Sequence, residues 1–345
     1  MSGSMTEADG TGGRMVEARY WKKLDDKRVA CELCPQACVI PDGGHGVCLG
    51  RTNRDGVLFA ENFGRCVSVA MDPIEKKPLY HVCPGHQVLS VACNGCNLRC
   101  DFCQNWSIAQ RKAATSPLPP DELVKLALET RSFGVAYTYT EPLVWFEYLM
   151  DAGARVHEAG LKNILVTNGI INEAPLLELL PLIDAMNVDL KSMNNDFYKE
   201  HCLVDGLEAV KRTITLAGER SFVEVTNLLI PGLNDSEEET RELAGFLADI
   251  SPAIPLHFSR YFPTNKLTAP PTPVSTLRRA KELASERLHY VYLGNVGLEE
   301  DANTYCPEDG TLLVRRTGYS TEVEGIEDGK CSGCGRPADF LWCEE

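Results

Sequence analysis

Three cysteines stand at C-x3-C-x2-C spacing in Cys96-Asn-Leu-Arg-Cys100-Asp-Phe-Cys103, and no fourth follows at ligand spacing on the C-terminal side. A cube of four irons and four sulfides usually takes four thiolates. Three thiolates from one loop leave one iron open, and an open position separates a catalytic metal site from a structural one. The alternative is a zinc knuckle completed by Cys93, since Cys93-Asn-Gly-Cys96 adds a C-x2-C. Zinc sites, however, usually come as two separated pairs. The loop follows Val88-Leu89-Ser90-Val91-Ala92, an apolar run that reads as a buried strand. A ligand loop placed after a strand is the arrangement of a barrel active site.

Two further cysteine groups flank this loop. Cys31-Glu-Leu-Cys34-Pro-Gln-Ala-Cys38 is followed by Cys48 after a Gly-rich stretch that includes His45. Four thiolates close a site, so the expectation is a structural zinc or an auxiliary iron–sulfur cluster, with both open at this point. Near the C-terminus, Cys306-Pro-Glu-Asp309-Gly310 and Cys331-Ser-Gly-Cys334-Gly335 read as the two knuckles of a zinc ribbon. Asp309 stands where a cysteine is expected; a carboxylate oxygen can ligate zinc, or Cys343 could substitute. Fifteen cysteines in clusters of this kind point to metal rather than to disulfides. Cys66, Cys83, Cys93, Cys202 and Cys343 fall outside the clusters, and most are expected to be ordinary buried thiols.

The elements that must position these residues come from periodicity. The chain has 345 residues, long for one core, so one large domain with small appendages is the prior. Residues 1–19 are Gly/Ser/Thr/acid-rich and expected to be disordered; 20–87 form an N-terminal cysteine module, 88–296 alternate strands and helices, and 301–345 form a second module after the acidic Glu299-Glu300-Asp301. Apolar runs begin near Val88, Val135, Ile164, Met186, Val223 and Leu256, with a seventh possible at Tyr290 to Leu293. Helices separate them: Pro120 to Thr130 with Leu123, Leu126 and Ala127 inward, and Asn234 to Ile250 with a Ser236/Glu239 capping box. The pattern predicts an α/β fold, a partial (β/α)6 barrel with small cysteine-rich modules at both ends. Lys and Arg total 34 against 49 acids, a net charge of −15, which argues against nucleic acid or an anionic membrane as partner. No apolar stretch approaches a membrane span and the N-terminus has no signal-peptide core, so a cytoplasmic protein is expected.

The loop resembles the motif of the radical SAM superfamily, in which an aromatic precedes the last cysteine (here Phe102). That resemblance implies a 4Fe–4S cluster on Cys96, Cys100 and Cys103, with S-adenosylmethionine chelating the open iron and cleaved reductively to a 5′-deoxyadenosyl radical. It further implies cofactor contacts at strand ends, where barrel chemistry sits. Tyr137-Thr-Tyr139-Thr140-Glu141-Pro142 takes the place of a Gly-Gly-Glu-Pro segment, so Glu141 would receive the methionyl ammonium, although Tyr139 and Thr140 replace the glycines. A capping acid before a Pro-started helix is the other reading of Glu141. Thr167-Asn168-Gly169 reads mainly as a tight turn, with Asn168 a candidate contact. Asp189 and Lys191 share a strand face and resemble a D-L-K used by glycyl-radical activases for the methionine moiety; a self-contained ion pair is the alternative. Ile230 is the candidate for adenine, His257 for ribose or substrate, and Gly294-Asn295-Val296 would close the top.

The order of motifs, from Cys31-Glu-Leu-Cys34-Pro through Asp72-Pro-Ile-Glu-Lys-Lys-Pro-Leu-Tyr80-His81 to Asn303-Thr-Tyr-Cys306-Pro, resembles the AmmeMemoRadiSam radical SAM enzymes, often labelled pyruvate formate-lyase activating enzyme-like. This implies Memo-type and AMMECR-type partners and a reductant such as flavodoxin or ferredoxin, with the substrate left open. A true glycyl-radical activase and a non-catalytic metal-binding interaction protein are the alternatives. A barrel of six units is open along one side, so a protein-presented substrate is expected, with Lys76 to His81 either a contact surface or a cover for the barrel bottom.

Overall fold

A computed structural model describes residues 15–297 and 301–343. Its centre is one eight-stranded sheet in sequential order: β1 (Ser68–Pro73), β2 (Gln87–Ala92), β3 (Gly134–Tyr137), β4 (Lys162–Thr167), β5 (Ala185–Asp189), β6 (Phe222–Leu229), β7 (Leu256–Arg260) and β8 (Val291–Gly294). Strands β2 to β8 are all parallel, and β1 runs antiparallel to β2 at the edge. The parallel strands are buried almost throughout, which is why they read as unbroken apolar runs rather than alternating ones. Six helices return the chain between them: α1 (Pro120–Glu129), α2 (Phe146–Glu158), α3 (Glu173–Leu179), α4 (Leu207–Gly218), α5 (Glu237–Ile250) and α6 (Val274–Ala284). The partial barrel is therefore present, with the seventh parallel strand formed.

Helix α5 shows how local chemistry serves the site. Ser236 caps it, its hydroxyl accepting from the Glu239 N–H at 3.1 Å. The reciprocal half of the expected capping box is not made. Instead the Glu239 carboxylate accepts from Ser192 Oγ at 2.5 Å and Met193 N at 2.8 Å, fixing the loop that follows β5.

The appendages pack on this frame. Val16–Glu17 pairs with Val57–Ala60, which pairs with Arg51–Arg54; a second small sheet joins Trp21–Lys23, Val29–Cys31 and Val39–Ile40. Residues 16–19 are thus ordered, contrary to the expectation of disorder through residue 19, while Met1 to Arg14 and Glu299-Glu300 lie outside the described residues. A C-terminal sheet of Thr304–Tyr305, Leu312–Thr317 and Ser320–Val323 has its own small core around Cys306, Leu313, Val314 and Cys331.

One expectation needs correction. Cys83 and Cys343 are not free thiols: they form a disulfide across 260 residues of sequence, which removes Cys343 as a ribbon ligand. Of the two roles open to Lys76–His81, the segment takes that of a cover for the barrel bottom, with Lys76 left exposed. Lys77, Leu79 and His81 are at most 1% exposed, and the segment spans the barrel floor from one edge strand to the other. Lys77 Nζ pairs with Asp72 on β1 at 2.8 Å, Pro78 O accepts from Asn187 on β5, Glu224 on β6 accepts from the Tyr80 and His81 N–H groups, and His81 Nε2 meets Tyr292 OH on β8 at 2.6 Å. His81 Nδ1 faces the Asp339 carbonyl at 2.7 Å, so that nitrogen carries the proton. Burial pushes the imidazole down to about 4, so it is neutral, as these partners require.

Candidate functional site

At the C-terminal ends of the parallel strands lies a cavity of about 410 Å³. Cys96, Cys100 and Cys103 line it, and no other cysteine does among the described residues. Cys93 is 1% exposed and turned away, its Sγ against Thr140 Oγ1 and the Glu141 carbonyl, so the tight zinc knuckle is not formed. The loop is held by its surroundings. Its Arg99 and Asp101 N–H groups donate to the Cys202 and His201 carbonyls of a π-helical turn, Tyr198–Cys202. Such turns recur at functional sites because they free backbone carbonyls. The Cys202 thiol lies against Cys100, a neighbour that sequence spacing gave no hint of.

The donor set suits an iron–sulfur cluster: three soft thiols at a cavity mouth, with N–H groups aimed at sulfur. Leu98 N lies 3.3 Å and Asn168 Nδ2 3.6 Å from Cys96 Sγ. All three thiols are raised, Cys96 and Cys103 by burial, Cys103 to about 11, and Cys100 by its contact with the Cys202 thiol and then by burial, so metal loading must expel protons. The three sulfurs do not sit within the 4.8 Å that would suit a single ion, in keeping with the wider spacing a cube imposes.

Glu141 and Asn168 both line the cavity, and their polar groups are already engaged with neighbours there. Glu141 is wholly buried and caps the turn Pro142–Trp145: Oε1 accepts from Leu143 N (2.9 Å) and Thr167 Oγ1 (2.6 Å), and Oε2 from Asn168 N (2.8 Å). This is the geometry of the capping alternative, and burial pushes its carboxyl up to about 7 despite the three donors. Asn168, so fixed, donates from Nδ2 to Asn97 Oδ1 at 2.9 Å and reaches Cys96. Gly169 has φ +69°, the tight turn expected there. Tyr139, which stands where the resembled family carries glycine, takes the same left-handed conformation at φ +69°. Such a backbone costs a bulky residue about 1–2 kcal/mol, and three contacts hold it. Its hydroxyl binds Asp72 and Lys77 Nζ, and its carbonyl accepts from Asn105 Nδ2 of the cysteine loop at 2.7 Å.

Asp189 and Lys191 both line the cavity and pair with each other at 2.9 Å. Burial alone would lower the Lys191 ammonium; Asp189 beside it more than offsets that and holds it well above its ordinary value. Phe102, 4% exposed, also lines the cavity with its ring 5.9 Å from Lys191 Nζ. Asn295 reaches the rim and donates to Ser259 Oγ at 3.0 Å.

Ile230 and His257 are placed differently from expectation. Ile230 is fully buried in the main core and does not line the cavity; Leu228, two residues earlier on the inward face of β6, does. His257 is 4% exposed below the cavity, its Nε2 2.6 Å from Glu224 Oε2 and its ring against Tyr80, so it belongs to the floor. Ser259, one step up the same face, lines the cavity instead.

The flanking groups differ. Cys306, Asp309, Cys331 and Cys334 bring their ligand atoms within 4.8 Å of one another, with Cys306 and Cys334 sulfurs 3.6 Å apart and Cys331 Sγ 3.6 Å from Asp309 Oδ1. Tetrahedral zinc–thiolate geometry puts sulfurs roughly 3.8 Å apart. Cys31, Cys34, Cys38 and Cys48 carry no disulfide and make no such tight set.

Residues 90–244 match the model of the radical SAM superfamily. The chain is 44% identical over 336 residues to the uncharacterized protein MJ0808 of Methanocaldococcus jannaschii, covering 95% of this chain and 100% of that one. It is 28% identical over 169 residues to the pyruvate formate-lyase-activating enzyme of Clostridium pasteurianum, covering 45% and 67%. Among solved structures, a radical SAM methyltransferase from Sphaerobacter thermophilus overlays 81% of this chain and 76% of its own at TM-score 0.49 and 16% identity, too loose a fit to argue from. Among the described residues no helix is long and apolar enough to cross a membrane.

Proposed function

The chain belongs to the radical SAM superfamily, and from that premise we propose that it cleaves S-adenosylmethionine reductively at a 4Fe–4S cluster on Cys96, Cys100 and Cys103. When bound, the cluster supplies one electron to the sulfonium, releasing a 5′-deoxyadenosyl radical that takes hydrogen from a substrate. The observation that carries this reading is the three-thiol loop at the cavity mouth with no fourth thiol lining it.

The surrounding residues bind and orient. Lys191 and Asp189 exchange each other for the carboxylate and ammonium of the methionine moiety, so the mostly buried Lys191 ammonium does not lose its partner. Leu228 offers an apolar wall to adenine, and Ser259 and Asn295 reach the ribose. Glu141 acts as a positioning residue: it fixes Asn168, which fixes Asn97 and Cys96. A one-electron donor such as flavodoxin or ferredoxin serves the site, and a cytoplasmic setting suits that chemistry. The ribbon residues Cys306, Asp309, Cys331 and Cys334 hold zinc.

The substrate is presented by a protein that enters from the mouth, since the partial barrel is open along one side and its floor is filled. The motif order supports Memo-type and AMMECR-type partners. Similarity to the clostridial activating enzyme favours a second reading, formation of a glycyl radical on a partner enzyme. Anaerobic reconstitution should give 5′-deoxyadenosine and methionine, and the Cys96/Cys100/Cys103→Ala variant should give none. Undiminished product from that variant would remove the assignment.

A further inference from the structure

We infer that Cys31, Cys34, Cys38 and Cys48 hold a second iron–sulfur cluster rather than zinc, seated directly against the first cysteine loop. The sequence spacing leaves the two metals open; the geometry separates them. The cysteines are drawn together by the backbone: Cys31 N donates to the Cys38 carbonyl at 2.9 Å, and Ala37 N turns back to the Cys34 carbonyl at 3.1 Å. A Cβ on Gly46 would stand 3.8 Å from Cys38 Sγ and 3.6 Å from Cys48 Sγ, in van der Waals contact with both, so the two sulfurs flank the same point of the loop. Yet no three of the four come within 4.8 Å of one another, as the ribbon ligands do. One zinc ion at about 2.3 Å from each thiolate would need the tighter set. A cube, with a thiolate on each corner iron, needs the wider one.

The surroundings are those of an anionic centre. Arg51, 1% exposed, lies with Nη1 3.7 Å from Cys31 Sγ and pairs with Glu147 at 2.5 Å, its buried Nε meeting no partner among the described residues. Backbone N–H groups of Gln36, Val47 and Gly50 face the sulfurs of Cys34, Cys38 and Cys48. Hydrogen bonds to sulfur and a buried cation are how proteins stabilise and tune such clusters.

Contact with the first loop is direct. A Cβ on Gly95 would overlap the Cys48 carbonyl oxygen, so only glycine lets the two loops meet. Gln36 Nε2 donates to the Asn97 carbonyl at 2.8 Å, and Arg99 reaches the Val47 carbonyl. The Asn97 side chain touches both Cys34 and Cys96, one thiol of each group.

The test is metal and sulfide analysis of the anaerobically reconstituted full chain, with Mössbauer and electron paramagnetic resonance spectra. Wild type should hold about eight irons and about eight sulfides. The Cys96/Cys100/Cys103→Ala variant should keep about four of each in a cubane spectrum, and Cys31/Cys34/Cys38/Cys48→Ser should lose that share. Dithionite-reduced wild type should show a spin-coupled signal that simplifies in the alanine variant. Stoichiometric zinc with iron near four in wild type, or an alanine variant devoid of iron, overturns the inference. These readouts do not need the serine variant to fold. They also stand apart from cofactor cleavage, so failure of the proposed activity leaves them intact.

Discussion

The two cysteine modules look alike on paper and differ in what surrounds them. The C-terminal set is closed on itself: its ligand atoms already meet, and its core is a satellite of four buried residues. The N-terminal set is wider, its Cys31 and Cys48 belong to the main core, and its backbone is pressed into the loop that carries Cys96. Spacing along the chain counts ligands. Distance between them in space, and what they lean on, distinguish a staple from a centre in contact with the chemistry.

That contrast can be broken or sharpened, beginning with the largest effect. Cys331→Ser should forfeit much of the roughly 10 kcal/mol that a structural zinc contributes to the fold around it, while 5′-deoxyadenosine formed per intact cluster stays near wild type. Calorimetric melting and product analysis of the same sample check it, and a parallel loss of cleavage would show the ribbon to be no mere staple. Arg51→Met should cost about 3–5 kcal/mol, because it strands the Glu147 carboxylate in the interior. It should also lower iron content without touching zinc, as metal analysis would show.

Glu141 gives a pH signature that neither module shares. Its folded value is pushed up to about 7 from 4.5. The folded state therefore holds a proton that the unfolded chain has already released, and this contribution is full below pH 4.5. It is lost as pH rises through about 7, in total about 3 kcal/mol. Denaturant melts of metal-free protein across that window should show the fall, and Glu141→Gln should remove it. An unchanged slope in the variant would assign the fall elsewhere. The smallest effect belongs to Asp309→Cys, which should retain zinc at a chelator concentration that strips the wild type, read by colorimetric zinc release.

Much of the frame was legible in the sequence because parallel strands bury both faces and so announce themselves as apolar runs. The edge strand Ser68–Pro73 was not, since it exposes alternate residues and is defined only by pairing with Gln87–Ala92. The cysteine loop, Asp189 and Lys191 were legible because their neighbours in sequence are their neighbours in the site. Ile230 and His257 lie off the cavity for one reason. Period-two alternation fixes which face a residue shares, but not its depth along the barrel, and each true cavity residue, Leu228 or Ser259, lies two positions away. The floor stayed one of two readings because Lys77, Tyr80 and His81 carry polar groups that suggest solvent. Their partners, Asp72, Glu224 and Tyr292, come from strands far apart in the chain. The Cys83–Cys343 bond, spanning 260 residues, has no local signal at all.

The filled floor has a kinetic corollary. With Lys77 to His81 sealing one end, the barrel is a cup rather than a tube, and no reactant enters through its floor. A molecule that settles at the bottom becomes the surface on which the next must land. Addition is then ordered, the deeper ligand first, and departure runs in reverse. The late arrival should accordingly slow the escape of the early one, so a bound substrate acts as a stopper on the cofactor beneath it.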